Sequence, residues 1–126
     1  MTQITITEAL AEIALIDKKL EKAAELAPDD AETHFHLALA YMRRDQSGDA
    51  EHAIANLEQV LTLDSTQTEP YYYLGLLYAR AGRREEAIAA WRRYVSVSDN
   101  TQSVDKVRTW LSSLEKGQGP TPESAP

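Results

Sequence analysis

Apolar residues recur along most of this chain at steps of three and four, which is the spacing of one face of an α-helix. Short segments rich in Gly, Pro, Asp and Ser interrupt the pattern, and no run of alternating β-branched residues favours a strand. The pattern therefore predicts an all-α protein. The six predicted helices span about residues 7–26, 29–44, 50–63, 68–82, 84–97 and 102–116.

Residues that favour helix ends support these bounds. Thr5 and Glu8 have the spacing of a capping box, and Asp30 stands where an acidic N-cap is favourable. Gly82 suits the left-handed conformation that often ends a helix. Residues 117–126 contain three prolines and no large apolar side chain, so we expect a disordered tail there.

One sequence pattern occurs twice in the middle of the chain. An aromatic residue, a Leu-Gly pair and a tyrosine recur at fixed spacing in the fourth helix, and an alanine and an aromatic residue follow in the fifth. These positions are Tyr71, Leu74, Gly75, Tyr78, Ala87 and Trp91, matched earlier by His34, Leu37, Ala38, Tyr41, Ala53 and Leu57. Ala53 and Ala87 are 34 residues apart, but Leu37 and Leu74 are 37 apart. We interpret residues 44–46 as an insertion that lengthens a helix end or its turn.

This pattern resembles the tetratricopeptide repeat, a pair of helices with a period of 34 residues. The resemblance implies antiparallel helix pairs stacked as a short right-handed superhelix. It assigns residues 31–67 to a first repeat that contains the insertion, and residues 68–101 to a second repeat. Residues 1–30 are then an N-terminal helix similar to half a repeat. Residues 102–116 are a C-terminal capping helix, because the Leu-Gly pair is absent from them.

Composition and charge exclude several classes of function. The chain has 126 residues and no cysteine, which removes disulfides, thiol nucleophiles and cysteine zinc sites. Its net charge of −7 makes nucleic acid an unfavourable partner. His34 and His36 are two residues apart and project from different sides of a helix, so we expect no metal site.

No catalytic arrangement is visible in the sequence. It lacks a Gly-rich phosphate loop, a G-x-S-x-G motif and an H-E-x-x-H motif. We therefore expect no enzyme activity, no catalytic residue and no cofactor. Residues 1–16 lack the basic start of a signal peptide, and no run of 18 apolar residues predicts a membrane span. We expect a cytoplasmic protein with no membrane partner.

The resemblance implies that partners bind in a concave groove lined by the first helix of each pair. Because His34, Leu37 and Tyr41 lie on the face that packs within the pair, the groove face is another side of the helix. The predicted groove residues are Glu32, Phe35, Leu39, Met42, Arg43, Glu69, Tyr72, Leu76 and Arg80. We expect this non-catalytic scaffold to bind a peptide or helix with apolar anchor residues and one acidic group. Alternatively, the helices at the two ends of the chain cover some of these predicted groove residues.

A second interpretation is a structural role through self-assembly. Residues 1–67 carry 5 basic and 13 acidic side chains, whereas residues 68–126 carry 8 and 7. This asymmetry, with two pairs of adjacent arginines in the second half, favours head-to-tail stacking of copies into a homo-oligomer. Those arginines are Arg83, Arg84, Arg92 and Arg93, and a solvated convex surface is the preferred interpretation of them.

Overall fold

The computed structural model of the protein describes residues 18–117. Within this range the chain forms six helical segments and no strand, which confirms the all-α prediction. The segments are α1 (residues 18–26), α2 (Ala31–Arg44), α3 (Asp49–Leu63), α4 (Glu69–Arg80), α5 (Arg84–Val97) and α6 (Thr101–Glu115). The predicted start of the first helix and the predicted tail after Gly117 lie outside the described residues.

The chain divides into two compact units, Met1–Ser65 and Thr66–Pro126. In the first, α2 packs against α3; in the second, α4 packs against α5 and α5 against α6. Turns of three or four residues join α2 to α3 and α4 to α5, so each pair is an antiparallel hairpin. The predicted pairing of helices is therefore present in both units. None of the helices in the described part of the chain is long and apolar enough to cross a membrane.

Small residues allow α2 and α3 to pack closely in the first unit. Ala38 on α2 and Ala53 on α3 are completely buried, at positions where a larger side chain would separate the helices. The Tyr41 hydroxyl donates to Glu21 Oε1 (2.7 Å), which ties α1 to α2. The buried apolar residues of this hairpin are Leu37, Ala38, Ala40, Tyr41, Ala53, Ile54, Leu57 and Val60.

A buried carboxylate organises the turn between α2 and α3. Asp49 is 2% exposed and accepts hydrogen bonds from Arg44 Nε (2.8 Å), Arg44 Nη2 (2.6 Å) and the Gln46 N–H (2.9 Å). The hydrogen bonds from Arg44 hold the pKa of the Asp49 carboxyl below its ordinary value. Asp45 (φ 52°) and Gly48 (φ 86°) take up the left-handed positions of the turn. The turn has four residues, one more than the turn between α4 and α5.

In the second unit a glycine makes room for a tryptophan. A Cβ atom at Gly75 on α4 would overlap the indole ring of Trp91 on α5. Trp91 is 1% exposed, and its Nε1–H donates to the backbone oxygen of Tyr72 (3.2 Å). Ala87, completely buried one turn before Trp91, is the small residue on the α5 side. The characteristic positions of the repeat pattern therefore meet where α4 packs against α5.

Candidate functional site

The apolar residues predicted to line a groove on α2 form a half-buried strip. Phe35, Leu39 and Met42 are all half-buried. Because a helix turns by about 100° per residue, these three side chains share one flank of α2, beside the face that carries its fully buried residues. We call Phe35, Leu39 and Met42 the α2 strip. Large apolar side chains that stay partly open next to one another are typical of interaction surfaces.

Charged side chains stand at both ends of the α2 strip. Glu32 and Arg43 are exposed, in the first and last turns of α2. Glu32 Oε1 lies 3.5 Å from His36 Nε2. Among the residues that the structure describes, no carboxylate forms an ion pair with Arg43. The Arg43 guanidinium is therefore available for a carboxylate of another molecule.

The corresponding residues on α4 are largely covered. Leu76 is 6% exposed and belongs to the core, which corrects the expectation that it lines an open groove. Tyr72 is half-buried, with its ring centroid 5.5 Å from that of Tyr94 on α5 and 5.9 Å from that of Trp110 on α6. Trp110 of α6 thus covers part of the Tyr72 ring. The exposed members of the predicted α4 set are Glu69 and Arg80.

Tyr72 belongs to an aromatic cluster that sequence reasoning missed. The aromatic cluster consists of Tyr72, Tyr73, Trp91, Tyr94 and Trp110, with centroids 5.2 Å apart for the two neighbouring tyrosines and 5.5 Å apart for the two tryptophans. Burial raises the pKa of the Tyr72 and Tyr73 hydroxyls. The available signal was Trp110 beside the apolar stripe of α6, but helical spacing does not tell which helix a side chain contacts.

The arginines invoked for head-to-tail assembly make contacts within their own unit. Arg84 donates from Nε to the backbone oxygen of Leu114 (2.8 Å) and from Nη2 to that of Glu115 (3.1 Å). Arg92 Nε lies 3.2 Å from Glu115 Oε1. Arg83 forms two hydrogen bonds of 2.7 Å with a glutamate of the next turn. Self-assembly stays a prediction, and three of its four arginines, Arg83, Arg84 and Arg92, are already paired within the second unit.

Two of the three histidines contact neighbouring segments of the first unit. His34 Nδ1 lies 2.9 Å from Asn56 Oδ1, and its Nε2 lies 2.8 Å from the backbone oxygen of Pro28. The His52 ring stacks on Tyr41 with the centroids 5.0 Å apart. Among the described residues, no group of three His, Cys, Asp or Glu side chains is placed to hold a metal ion.

Two family models match the part of the chain that contains α3, α4 and α5. A model described as TPR repeat matches residues 46–82, and one described as tetratricopeptide repeat matches residues 68–101. Residues 46–101 of the chain are tetratricopeptide repeats. The second match covers α4 and α5 of this tetratricopeptide-repeat protein, the hairpin in which Gly75 meets Trp91. No curated protein matches the chain.

The family matches give residues 46–101 a general role. Tetratricopeptide repeats generally mediate protein–protein interaction, and they are typically non-enzymatic modules. The α2 strip lies on the first helix of its hairpin, the helix on which we expected the binding residues.

Proposed function

We propose that this tetratricopeptide-repeat protein is a non-catalytic scaffold in which the α2 strip and its flanking charges bind a peptide or helix of a partner protein. One observation carries the proposal: Phe35, Leu39 and Met42 lie together, half-buried, on one flank of α2. A phenylalanine and a flexible methionine adapt to apolar anchors of different shape. Removal of such anchors from water supplies the driving force for binding.

The charges beside the strip define the rest of the expected ligand. Arg43 lies one helical turn after Leu39, so it suits an acidic group close to the apolar anchors of the partner. On α4, the exposed Glu69 and Arg80 remain in the proposal as charged contacts. Leu76 leaves it, because a side chain that is 6% exposed has little surface to offer.

A matched pair of leucine variants tests the proposal. Leu39 in the α2 strip and Leu61 on α3 are both half-buried in the first unit, so Leu39→Ala and Leu61→Ala remove the same atoms from comparable surroundings. Partners are identified by crosslinking to the wild-type chain, and their affinity for both variants is measured beside the thermal stability. We expect Leu39→Ala alone to lose about 1–2 kcal/mol of binding. Equal binding by the two variants would show that partners do not use the α2 strip.

A further inference from the structure

His34 connects the turn after α1 to α3 in the first unit. Its ring is half-buried, with Nδ1 2.9 Å from Asn56 Oδ1 on α3 and Nε2 2.8 Å from the backbone oxygen of Pro28. Pro28 lies in the turn between α1 and α2. One imidazole ring therefore contacts the turn and α3 at the same time, and each contact uses a different ring nitrogen.

Both atoms that face the ring of His34 are hydrogen-bond acceptors. The backbone oxygen of Pro28 can only accept. Asn56 Nδ2 donates to the backbone oxygen of His52 (2.8 Å), which fixes the orientation of the amide and directs its Oδ1 toward His34. The two acceptors therefore require an N–H group on each nitrogen of the ring.

A neutral His34 cannot satisfy the two acceptors. A neutral imidazole carries one N–H, so its other nitrogen directs a lone pair at an oxygen, whichever tautomer is present. Rotation of the Asn56 amide would let Nδ2 donate to the ring, but it would break the hydrogen bond to the His52 oxygen. The imidazolium donates from both nitrogens. In the folded chain it therefore has one hydrogen bond more than either arrangement of the neutral ring.

The surroundings of His34 also include a carboxylate. The hydrogen bond from Thr33 lowers the pKa of the Asp30 carboxyl, and the attraction of a charged His34 lowers it further. Other titratable side chains of α1, α2 and α3 contact different groups. They are Glu21 and His52, which contact Tyr41, and the pairs Lys22–Glu25 and Glu32–His36. Asp30 thus supplies a negative charge that favours the imidazolium.

We propose that His34 is a pH-dependent link, which in its charged form fastens the turn between α1 and α2 to α3 through Pro28 and Asn56. Histidine side chains change charge between about pH 5 and pH 8. The additional hydrogen bond exists only in the folded chain with a charged His34, so acid pH favours the folded state. This stabilisation is complete where His34 is charged and is lost as the pH rises. The link is independent of the α2 strip and goes beyond the proposed scaffold function.

Urea titrations of the wild type and of His34→Gln at about pH 5.5 and about pH 8 test the link. Glutamine keeps a polar side chain at this position but does not titrate. From the lower to the higher pH, we expect the unfolding equilibrium constant of the wild type to rise about three- to tenfold more than that of His34→Gln. Both pH values lie above the range in which Asp49 becomes protonated. An equal pH dependence of the two proteins would overturn the link.

His36→Gln is the matched control. It removes a histidine that is exposed on the same helix, with Nε2 3.5 Å from Glu32 Oε1. Because such an ion pair on the surface contributes little, the pH dependence should stay within about twofold of the wild-type value. A reduction as large as that in His34→Gln would contradict the assignment of the effect to His34.

Asn56→Ala keeps the histidine and removes one of its two acceptors. A neutral His34 can then donate to the Pro28 oxygen and leave Nδ1 to water, so the pH-dependent change should fall below about twofold. Since Asn56 is half-buried and outside the apolar core, this variant should fold even if His34→Gln does not. A pH dependence like that of the wild type would show that Asn56 is not the second acceptor.

The side-chain amide of Asn56 gives an independent readout in the wild-type chain. Its NH₂ resonances should shift with the same midpoint as the ring resonances of His34, because the group that donates to Oδ1 loses its proton. Asn100 is the control, since its Oδ1 accepts from the Ser103 N–H (3.1 Å), which does not titrate. Asn56 resonances that do not follow the charge of His34 would overturn the link.

Discussion

Trp91 fills the space that a side chain at Gly75 would need. A Cβ atom at position 75 would overlap three atoms of the indole ring. The same ring donates its N–H to the backbone oxygen of Tyr72, 3.2 Å away and one turn earlier on α4. The buried Trp91 side chain thus determines how closely α5 packs against α4, and it also forms a hydrogen bond between the two helices.

Gly75→Ala tests this contact. In an open helix the change would stabilise the protein by about 1 kcal/mol, because alanine has the higher helix propensity. Here the added methyl group must displace Trp91, so we expect a net loss of about 1–3 kcal/mol, and a larger loss for Gly75→Leu. The urea midpoint measures the change. A stabilised Gly75→Ala would mean that α4 and α5 do not meet at this residue.

Tyr72→Ala should lower the stability of the protein by about 2 kcal/mol, because its ring packs against Tyr94 and Trp110. Tyr72→Phe keeps the ring and serves as the control, with an expected change within about 0.5 kcal/mol. Chemical denaturation of the two variants measures the difference. Equal stability of Tyr72→Ala and wild type would restore the interpretation of Tyr72 as a side chain that only a partner contacts.

The helices and the contacts within each helix pair were predictable, because the sequence signals for them are local. The predicted end of α2 and the predicted bounds of α5 agree with the structure. Within the predicted cap at residues 29–32, Asp30 accepts from the Glu32 N–H (3.1 Å). Gly75 was identifiable as the residue where α4 and α5 come closest, because only a small residue fits where two helices touch. Each of these inferences needs the helix itself and its hairpin partner, which the repeat pattern supplies.

The packing of other helices over the flank of α4 could not be predicted. Hydrophobic periodicity shows on which side of its own helix a side chain lies, but it does not show which other residues that side chain contacts. Leu76 and Tyr72 lie where an open flank was expected, and the second of them contacts Trp110 of α6. The same limit applies to the insertion. The spacing predicts where it lies, but the bidentate contact of Arg44 with Asp49 depends on the path of the turn.

The Arg44–Asp49 pair makes stability depend on pH. Because Arg44 keeps the pKa of Asp49 below the ordinary 3.8, the folded chain holds this carboxylate ionised to a lower pH than the unfolded chain does. A lowered pKa contributes stability that is complete above about pH 5 and is lost as the pH falls through the folded-state value. Asp49→Asn should therefore be about 2 kcal/mol less stable than wild type at neutral pH. The difference should shrink below about pH 4.

Urea titrations of both proteins across this pH range measure the effect. Asp105→Asn is the control, because that carboxylate is 76% exposed and its contact with Arg108 is 4.0 Å long; its effect should stay within about 0.5 kcal/mol at every pH. If the difference between wild type and Asp49→Asn is the same at neutral and acid pH, the charge of Asp49 does not stabilise the turn.

Arg84 should control how firmly α6 is held against α5. Its guanidinium donates to two backbone oxygens in the last turn of α6, whereas Arg92 makes one exposed ion pair with Glu115. Arg84→Met keeps most of the aliphatic stem but leaves those oxygens to water, so we expect a loss of about 1–2 kcal/mol and faster amide exchange near Leu114. Arg92→Met should change stability by less than about 0.5 kcal/mol. Because Trp110 lies on the same helix, its fluorescence should shift to the red in Arg84→Met, and equal effects of the two variants would show that packing alone holds α6.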